Sequence, residues 1–187
     1  MSDLLIDIGC AAIGGAMALG LLLHLRKRQA SGVERLSRPA ALRDAELIHI
    51  EKTFRTTSPI PMAAKLDRAY RLPSGLLVLV ELKTRWNGGP TFSDVVQLSV
   101  QRVALSAATG QTVAAEAFVL IARPGVRRSP VAHRVDLLSV DQVVALVRRG
   151  EAILADRISP RYAAQVGHCQ SCAFRSQCDG AGRPRRS

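Results

Sequence analysis

Two acidic residues and a lysine are placed where they could hold a metal ion. The stretch GLLVLVELKTR reads as a buried strand that carries Glu81 and Lys83 near its end, and residues two apart in a strand point to the same face. The preceding Pro-Ser-Gly turn predicts a hairpin with the strand Met62–Leu72. If the hairpin is symmetric about Ser74, the numbers of paired residues add up to 148, and Asp67 lies opposite Glu81.

Carboxylates that face each other across a strand ladder favour a bound cation. Like charges directly opposite are destabilising, and Mg²⁺ and Mn²⁺ prefer carboxylate and carbonyl oxygens together with water. Lys83 beside such a cation could orient a water molecule or stabilise negative charge on a phosphate. The alternative is a salt bridge on an edge strand, Asp67 with Lys83 or Glu81 with Arg68. A register slip of one residue would also turn these side chains to the other face.

Three cysteines near the C-terminus indicate a second metal site. Cys169, Cys172 and Cys178 lie within ten residues, and a cluster of this kind suits a metal better than a disulfide framework. Three thiolates need a fourth ligand, which could be His168, and three Cys with one His would suit structural zinc. A degenerate site that holds no metal is the alternative.

Apolar periodicity and turn residues predict the elements that position these side chains. A helix with one buried face is predicted over Ala41–Phe54, and the two strands of the hairpin follow, the second of them Leu76–Arg85. Ser93 or Asp94 can cap the next helix, which ends at Gly110 as a C′ glycine.

The rest of the chain predicts a second pair of strands and a last helix. The strands are Ala117–Arg123 and His133–Ser139, and Ser139 and Gln142 form a capping box for a helix that stops at Gly150. The order is therefore helix, strand, strand, helix, strand, strand, helix. It predicts a mixed α/β domain with helices packed on a central sheet.

The first residues read as a membrane-spanning helix. Leu4–Leu25 is apolar over about the 20 residues that a helix needs to cross a bilayer, and its ionisable residues, Asp7 and His24, lie near its ends. The run RKR follows this segment, whereas a cleaved signal peptide carries its positive charge before the apolar run. The positive-inside rule then predicts a single-pass membrane protein with a cytoplasmic soluble domain. A buried hairpin helix of the soluble domain is the alternative.

These segments predict the domain organisation. A transmembrane anchor (1–28) and a polar linker (29–40) precede a soluble domain (41–178) and a basic tail (179–187). Lys and Arg outnumber Asp and Glu by 26 to 15, which gives a formal net charge of +11. The excess favours a polyanionic partner such as nucleic acid or an acidic lipid surface, with solubility as the plain alternative.

The acidic residues and the lysine resemble a known signature. Asp67, thirteen intervening residues and then the tripeptide ELK of Glu81 and Lys83 resemble the D…(D/E)-x-K signature of the PD-(D/E)XK nuclease superfamily. The next helix carries Gln97 in VVQLSVQRVAL, which looks like the Q-x-x-x-Y motif of the RecB-like branch, with Gln101 in place of Tyr. The cysteine spacing C-x2-C-x5-C is similar to that of RecB-like iron–sulfur exonucleases, including the CRISPR-associated ones.

The resemblance implies a fold and a set of roles. The fold would be restriction-endonuclease-like, a central mixed sheet flanked by helices, here preceded by one N-terminal transmembrane helix. Asp67 and Glu81 would bind Mg²⁺ or Mn²⁺ with help from the Leu82 carbonyl, and Lys83 would assist the attacking water. Gln97 would contact the nucleic-acid backbone or orient the active site.

The resemblance also implies a further acidic or histidine residue from the first helix. Glu46, His49 and Glu51 are the candidates. Glu51 is favoured as a catalytic residue and His49 is included as a metal ligand. A solvated helix face is the alternative for each of them.

Two departures from the family pattern matter. Gln101 stands where Tyr is expected, which leaves its contact with nucleic acid open. The iron–sulfur members use four cysteines, one of them before the nuclease core, and here the only upstream cysteine is Cys10, in the predicted membrane segment. A 4Fe-4S cluster on the three C-terminal cysteines would therefore need His168 or an exogenous ligand, and Zn²⁺ is the alternative.

Three functions are compatible with these features. The leading hypothesis is a membrane-anchored, metal-dependent nuclease that hydrolyses phosphodiester bonds of DNA, either single strands or duplex ends. The second is a catalytically silent nuclease fold that binds nucleic acid or acts as a scaffold at the membrane. The third is a membrane iron–sulfur or zinc protein with redox chemistry.

Overall fold

The structure, a computed structural model, describes residues 34, 38–86, 88–126, 129–161, 169, 172–173 and 175–178. The predicted transmembrane segment, most of the predicted linker, His168 and the basic tail lie outside these residues. The chain divides into two compact units between Val143 and Val144, and the candidate site lies in the first. Within the described ranges, no helix is long and apolar enough to cross a membrane.

The described strands form one mixed sheet. The elements, in chain order, are β1 (Glu46–Thr56), β2 (Met62–Arg71), β3 (Leu77–Thr84), α1 (Phe92–Thr109), β4 (Val113–Ala122), β5 (Val131–Asp136) and α2 (Val140–Leu154). The sheet order follows the chain from β1 to β5, with β3 and β4 parallel and the other neighbours antiparallel. The predicted α/β class with a mixed central sheet is confirmed.

The predicted first helix is wrong, because most of Ala41–Phe54 is strand. A short 3₁₀ turn at Ala40–Leu42 leads into β1, whose sequence LIHIEKTF is rich in the β-branched and aromatic residues that favour strands. Antiparallel pairing with β2 runs along the whole of β1, and Phe54 is buried. A short apolar run fits either helix or strand periodicity, and here the ladder with β2 decides between them.

The predicted register of the β2–β3 hairpin is confirmed. The four described pairs of the ladder have residue numbers that add up to 148, and the pair farthest from the turn is Arg68↔Val80. The backbone N–H of Gly75 donates to Leu72 O at 2.8 Å and closes the turn. Gly75 adopts φ +85°, a left-handed conformation that a residue without Cβ tolerates.

Helix α1 covers one face of the sheet. Thr91 and Asp94 form a capping box at its start, so Thr91 is the N-cap and the predicted caps Ser93 and Asp94 are wrong in that role. Gly110 ends the helix with φ +69°, which confirms the predicted C′ glycine. Apolar side chains of α1 pack on β3 and β4 in a core that includes Leu79, Leu98, Leu105 and Val119.

A partly buried ion pair fixes the start of α1 to the end of β3. Arg85 follows β3 directly, and its Nη2 donates to both carboxylate oxygens of Asp94 at 2.8 and 3.1 Å. Burial raises the pKa of Asp94, but hydrogen bonds from Arg85 and Thr91 outweigh it and hold the pKa below its usual value. The strand and the helix that carry the candidate site are therefore joined by a charge-assisted contact.

The opposite face of the sheet is covered by residues that precede β1. Tyr70 Oη donates to Glu34 Oε1 at 2.6 Å, and Arg38 bonds both oxygens of the same carboxylate at 2.9 Å. The Arg38 guanidinium also lies 5.0 Å from the centroid of the Tyr70 ring. These two residues of the predicted linker therefore contact the sheet.

The predicted capping box of the last helix is confirmed. Ser139 and Gln142 exchange hydrogen bonds at 2.8 and 3.2 Å. The predicted stop at Gly150 is wrong, because α2 continues past it; one glycine disfavours a helix by only about 1 kcal/mol. Leu138 N–H donates to Ser99 Oγ at 2.9 Å, which joins the segment before α2 to α1.

Candidate active site

The carboxylate of Glu81 is the centre of a polar cluster between β3 and α1. Its side chain is 3% exposed, and Lys83 Nζ lies 2.8 Å from its Oε1. Gln97 Nε2 donates to the same oxygen at 2.6 Å, and Gln97 Oε1 accepts from Lys83 Nζ at 2.8 Å. The three side chains, all predicted as site residues, form a closed set of hydrogen bonds.

The position of Glu81 follows from the strand that carries it. Residues 77–81 of β3 are all buried, so Glu81 is the last residue of a buried run whose other members are apolar. A buried carboxylate needs a nearby cation or several donors, since its isolated charge would be strongly destabilised. Lys83 lies two residues on, on the same face and one quarter exposed, and its ammonium group supplies that charge at the surface.

Asp67 lies where β2 parts from β3. The described ladder ends at Arg68. Beyond it, Leu82 N–H donates to the Asp67 side chain (Oδ2, 2.8 Å) instead of to the backbone of β2. Burial raises the pKa of Asp67, and the charges of Glu81 and Glu51 raise it further, although the bond from Leu82 opposes them. Asp67 is therefore close to Glu81 as predicted, but the two residues are not a described backbone pair of the ladder.

Glu51 lies on β1, next to Asp67 and away from a helix. The β1–β2 pairing passes from Lys52↔Leu66 to Ile50↔Arg68 and leaves Glu51 and Asp67 between these pairs. Glu51 has φ +50°, which is uncommon for a residue with a side chain. Its carboxylate is more than half exposed and pairs with Lys65. Glu51 is thus close enough for its charge to act on Asp67, but its carboxylate is exposed to solvent.

Comparison with known proteins agrees with this arrangement. The model of the family described as the PD-(D/E)XK nuclease superfamily matches residues 12–179. The chain belongs to the PD-(D/E)XK nuclease superfamily. A search of curated proteins found no match.

Two solved structures are similar to this superfamily member over most of its length. The protein SSO0001 shares 18% identity with a TM-score of 0.48, over 87% of this chain and 69% of its own. A candidate exonuclease from Eubacterium rectale shares 14% identity with a TM-score of 0.46, over 86% of this chain. The chain spans 62% of the length of that protein, which is less than two thirds.

Gln101 belongs to the same cluster, although the Q-x-x-x-Y motif of the RecB-like branch has Tyr at this position. It is 2% exposed, and its Nε2 donates to Glu81 Oε2 at 3.1 Å and to Lys65 O at 2.9 Å. Gln97 and Gln101 are four residues apart and therefore lie on one face of α1. That spacing was the signal available in the sequence, but the sequence did not predict that Gln101 would hold the Glu81 carboxylate.

The oxygen atoms around Asp67 fit a divalent cation. In a strand, the N–H and C=O of one residue point to the same neighbour. The Leu82 carbonyl therefore points to the same side as its N–H, which is the side of Asp67. Asp67, Glu81 and this carbonyl supply the hard oxygens that Mg²⁺ and Mn²⁺ prefer, and water and a phosphate would complete an octahedral shell. Burial raises the pKa of Asp67 most and the charges of Glu81 and Glu51 add to it, and a cation would relieve that repulsion between the carboxylates.

Other predicted site residues have contacts elsewhere. His49 lies at an irregularity of the β1–β2 pairing, with its ring edge-on to Phe54 at 5.1 Å. Burial lowers the pKa of His49, and the charges of Lys52 and Arg71 lower it further. Glu46 forms an exposed ion pair with Arg71 at 3.5 Å. Neither residue is brought to the Glu81 cluster in the described structure.

The three C-terminal cysteines are free thiols joined by a chain of turns. Cys172 N–H donates to Cys169 O at 3.4 Å, Arg175 N–H to Cys172 O at 3.2 Å, and Cys178 N–H to Arg175 O at 3.3 Å. Among the residues that the structure describes, no three Cys, His, Asp or Glu side chains are grouped to hold a metal ion. His168 lies outside them, and the iron–sulfur or zinc site stays a prediction.

Proposed function

We propose that this chain is a metal-dependent nuclease that hydrolyses phosphodiester bonds of DNA. The observation that carries the proposal is the closed cluster of Glu81, Lys83 and Gln97, with the Asp67 carboxylate beside it at the split between β2 and β3. Membership of the PD-(D/E)XK nuclease superfamily supports it. The formal net charge of +11 favours a polyanionic substrate.

In the proposed reaction, each side chain has one task. A divalent cation on Asp67, Glu81 and the Leu82 carbonyl would polarise the scissile phosphate and lower the pKa of a water molecule. Lys83 Nζ is fixed between Glu81 Oε1 and Gln97 Oε1. From there it can hold the attacking water or stabilise negative charge that develops on the phosphate. Gln97 orients both charged partners, because its amide donates to one and accepts from the other.

Glu51 is proposed to complete the acidic set. Its charge is one of the smaller causes that raise the pKa of Asp67, after burial and the charge of Glu81. Its exposed carboxylate lies on a strand neighbouring Asp67 and could bind an outer-shell water or a second cation.

The finer assignments also remain proposals. We place the chain in the RecB-like branch on the basis of Gln97 and of the cysteine spacing, and we propose a 4Fe-4S cluster or Zn²⁺ on Cys169, Cys172, Cys178 and His168. We propose that residues 1–28 anchor the chain to a membrane as a single-pass segment, with the nuclease domain in the cytoplasm.

One observation favours a second function, a catalytically silent platform that binds nucleic acid. Lys83 is already engaged by Glu81 and Gln97. If these bonds persist when DNA is bound, its ammonium group is not available to the phosphate. The chain would then keep the fold and the positive charge without turnover.

A cleavage assay separates the two functions. The full chain in a mild detergent is incubated with end-labelled single-stranded and duplex DNA, with Mg²⁺, with Mn²⁺ or with a chelator. We expect cleavage only when a cation is present, and no cleavage by Asp67→Ala prepared in parallel. DNA binding without cleavage under all conditions would support the silent platform and contradict the nuclease.

A further inference from the structure

A basic groove lies on the sheet beside the candidate active site. Its volume is about 800 Å³, and its lining includes Arg85, Trp86, Ile121, Arg123, Val131 and His133. Among the described lining residues, no acidic side chain is present. An occupant with negative charge and an apolar face would therefore fit it.

The strand register places this groove next to Lys83. Ile121 is the partner of Lys83 in the β3–β4 ladder, and Val131 is the partner of Ile121 in the β4–β5 ladder. Paired residues on neighbouring strands point to the same face, and the strands lie about 4.8 Å apart. The groove thus begins one strand away from the predicted catalytic lysine and extends towards β5 and His133.

Trp86 gives the groove an aromatic surface that packing in the fold does not use. Its side chain is 68% exposed, whereas most large apolar residues of the sheet are buried. It follows Lys83 by three residues, just past the end of β3. A base can stack on an indole ring when its own face is not covered by a neighbouring base pair, and every base has such a face.

The positive charges are placed to bind a phosphate backbone. Arg85 forms an ion pair with Asp94. Arg123 is exposed and has no acidic partner within the part of the chain that the structure describes. An arginine beside an exposed aromatic ring is the combination that binds single strands, with the cation on a phosphate and the ring on a base. A continuous duplex offers the phosphates but hides the faces of its bases.

We propose that this groove binds an unpaired nucleotide of single-stranded DNA, with its base on Trp86 and its phosphate near Arg123. The groove then selects single strands for the cleavage site beside Lys83. This inference rests on the proposed nuclease function for its biological meaning. Binding can nevertheless be measured without a divalent cation, so that failure of the groove and failure of catalysis give different results.

Tryptophan fluorescence tests the stacking, because Trp86 is the only tryptophan of the chain. The full chain in a mild detergent, without divalent cation, is titrated with an oligothymidylate of about 12 nucleotides. We expect saturable quenching by this strand, much weaker quenching by a blunt-ended hairpin duplex, and none by an abasic strand of equal length. Equal quenching by the duplex would overturn the choice of single strands, and unchanged fluorescence with bound DNA would overturn the site.

Variants then locate the binding energy. With anisotropy of a labelled single strand, Trp86→Ala should weaken binding roughly 5- to 100-fold and Trp86→Phe less, because Phe keeps a stacking face. Arg123→Gln should weaken binding and reduce the slope of log affinity against log salt by about 0.7. Leu154→Ala is the control, since Leu154 is 87% exposed and does not line the groove. If Trp86→Ala binds the single strand as tightly as wild type and the Leu154→Ala control do, the proposal is contradicted, even if the enzyme cleaves DNA.

Discussion

At the scale of the residue, two glutamines of α1 act on one carboxylate in different ways. Gln101 is buried and gives its amide hydrogens to Glu81 and to the Lys65 carbonyl. Gln97 is partly exposed and joins Glu81 to Lys83. Gln101 therefore holds the carboxylate within the fold, and Gln97 links it to Lys83, the residue that we propose acts on the substrate.

Replacement of these glutamines should separate stability from catalysis. Gln101→Leu leaves the buried Glu81 carboxylate and the partly buried Lys65 carbonyl without this donor, which should lower the free energy of unfolding by about 1–3 kcal/mol. Gln97→Leu should change the melting temperature less and slow cleavage more, because Lys83 loses its partner. Melting temperature and cleavage rate of the two variants measure this. A larger stability loss for Gln97→Leu would contradict the two roles.

Asp67→Asn should stabilise the protein without cation and remove its response to the cation. Folding raises the pKa of Asp67, so the folded chain holds this proton more tightly than the unfolded chain. Stability is then lost as pH rises from the ordinary Asp value through the raised pKa. At neutral pH, Asp67→Asn escapes this loss and should melt roughly 1–3 °C higher.

Added Mg²⁺ should reverse that order. At 100 times its dissociation constant, a bound cation stabilises the folded state by about 2.7 kcal/mol. Wild type should gain this stabilisation and Asp67→Asn should not. The control is Asp136→Asn, at an exposed residue of β5, which should be stabilised by Mg²⁺ as wild type is. An equal response of Asp67→Asn and wild type would show that the cation binds elsewhere.

At the scale of the element, the ion pair of Glu34 with Arg38 fixes the segment before β1 to the sheet. Burial raises the pKa of Glu34, but the hydrogen bonds from Arg38 and Tyr70 outweigh it, and the pKa is below its ordinary value of 4.5. A depressed pKa means that the stability is present above the ordinary value and is lost as pH falls through the folded pKa. The contact therefore stabilises the fold at neutral pH, and this stabilisation is lost in acid as Glu34 becomes protonated.

Glu34→Gln should expose this pH dependence. At pH near 7 the variant should be less stable than wild type by about 1–3 kcal/mol, because hydrogen bonds to a charged group are lost. The difference should shrink as pH falls below 4.5, the ordinary Glu value. Glu116→Gln, which removes an exposed pair with Arg134, should change stability by less than about 1 kcal/mol. A difference for Glu34→Gln that does not vary with pH would contradict the ion pair.

The elements could be predicted where local signals decide them. The Pro-Ser-Gly turn set the hairpin register correctly, and Ser139 with Gln142 marked the start of α2. β1 was predicted as a helix, because its pairing with β2 is a non-local contact that a short apolar run does not encode. The same limit applies to the ion pair of Arg85 with Asp94, which depends on how α1 returns to β3.

In the candidate site, too, the local pattern could be predicted from the sequence and the non-local contacts could not. Strand periodicity placed Glu81 and Lys83 on one face, and the structure adds Gln97 at bonding distance. Asp67 lies near Glu81 as predicted, but through its side chain at the split of two strands. The part played by Gln101 could not be predicted, because it depends on the depth at which α1 packs against β2 and β3.

At the scale of the whole molecule, the proposed membrane anchor and the positive charge would act together on the choice of substrate. A formal net charge of +11 would attract DNA, and a segment in the bilayer would restrict the nuclease to nucleic acid that reaches the membrane. The anchor is a proposal based on Leu4–Leu25. It makes one prediction that concerns no residue of the site.

Ile13→Arg should weaken membrane association of the full chain. A charge at the centre of a spanning helix disfavours insertion by about 2.5–3.5 kcal/mol. We expect wild type to stay with the membrane during alkaline extraction and Ile13→Arg to be released in part. Leu154→Arg, at a residue that is 87% exposed in the described structure, is the control and should behave as wild type does. Wild type that is released by the same extraction would contradict the anchor.

The single-turnover rate of DNA cleavage by Lys83→Met is the sharpest test of the proposed catalytic cluster. The full chain is assayed with Mg²⁺ at saturating enzyme, beside Lys52→Met, which changes an exposed lysine over the Phe54 ring on β1. We expect cleavage by Lys83→Met to be slower than by wild type by roughly 10²- to 10³-fold with DNA affinity retained, and cleavage by Lys52→Met to be close to wild type. A Lys83→Met rate within a few-fold of wild type would contradict the assignment of Glu81, Lys83 and Gln97 as the catalytic cluster.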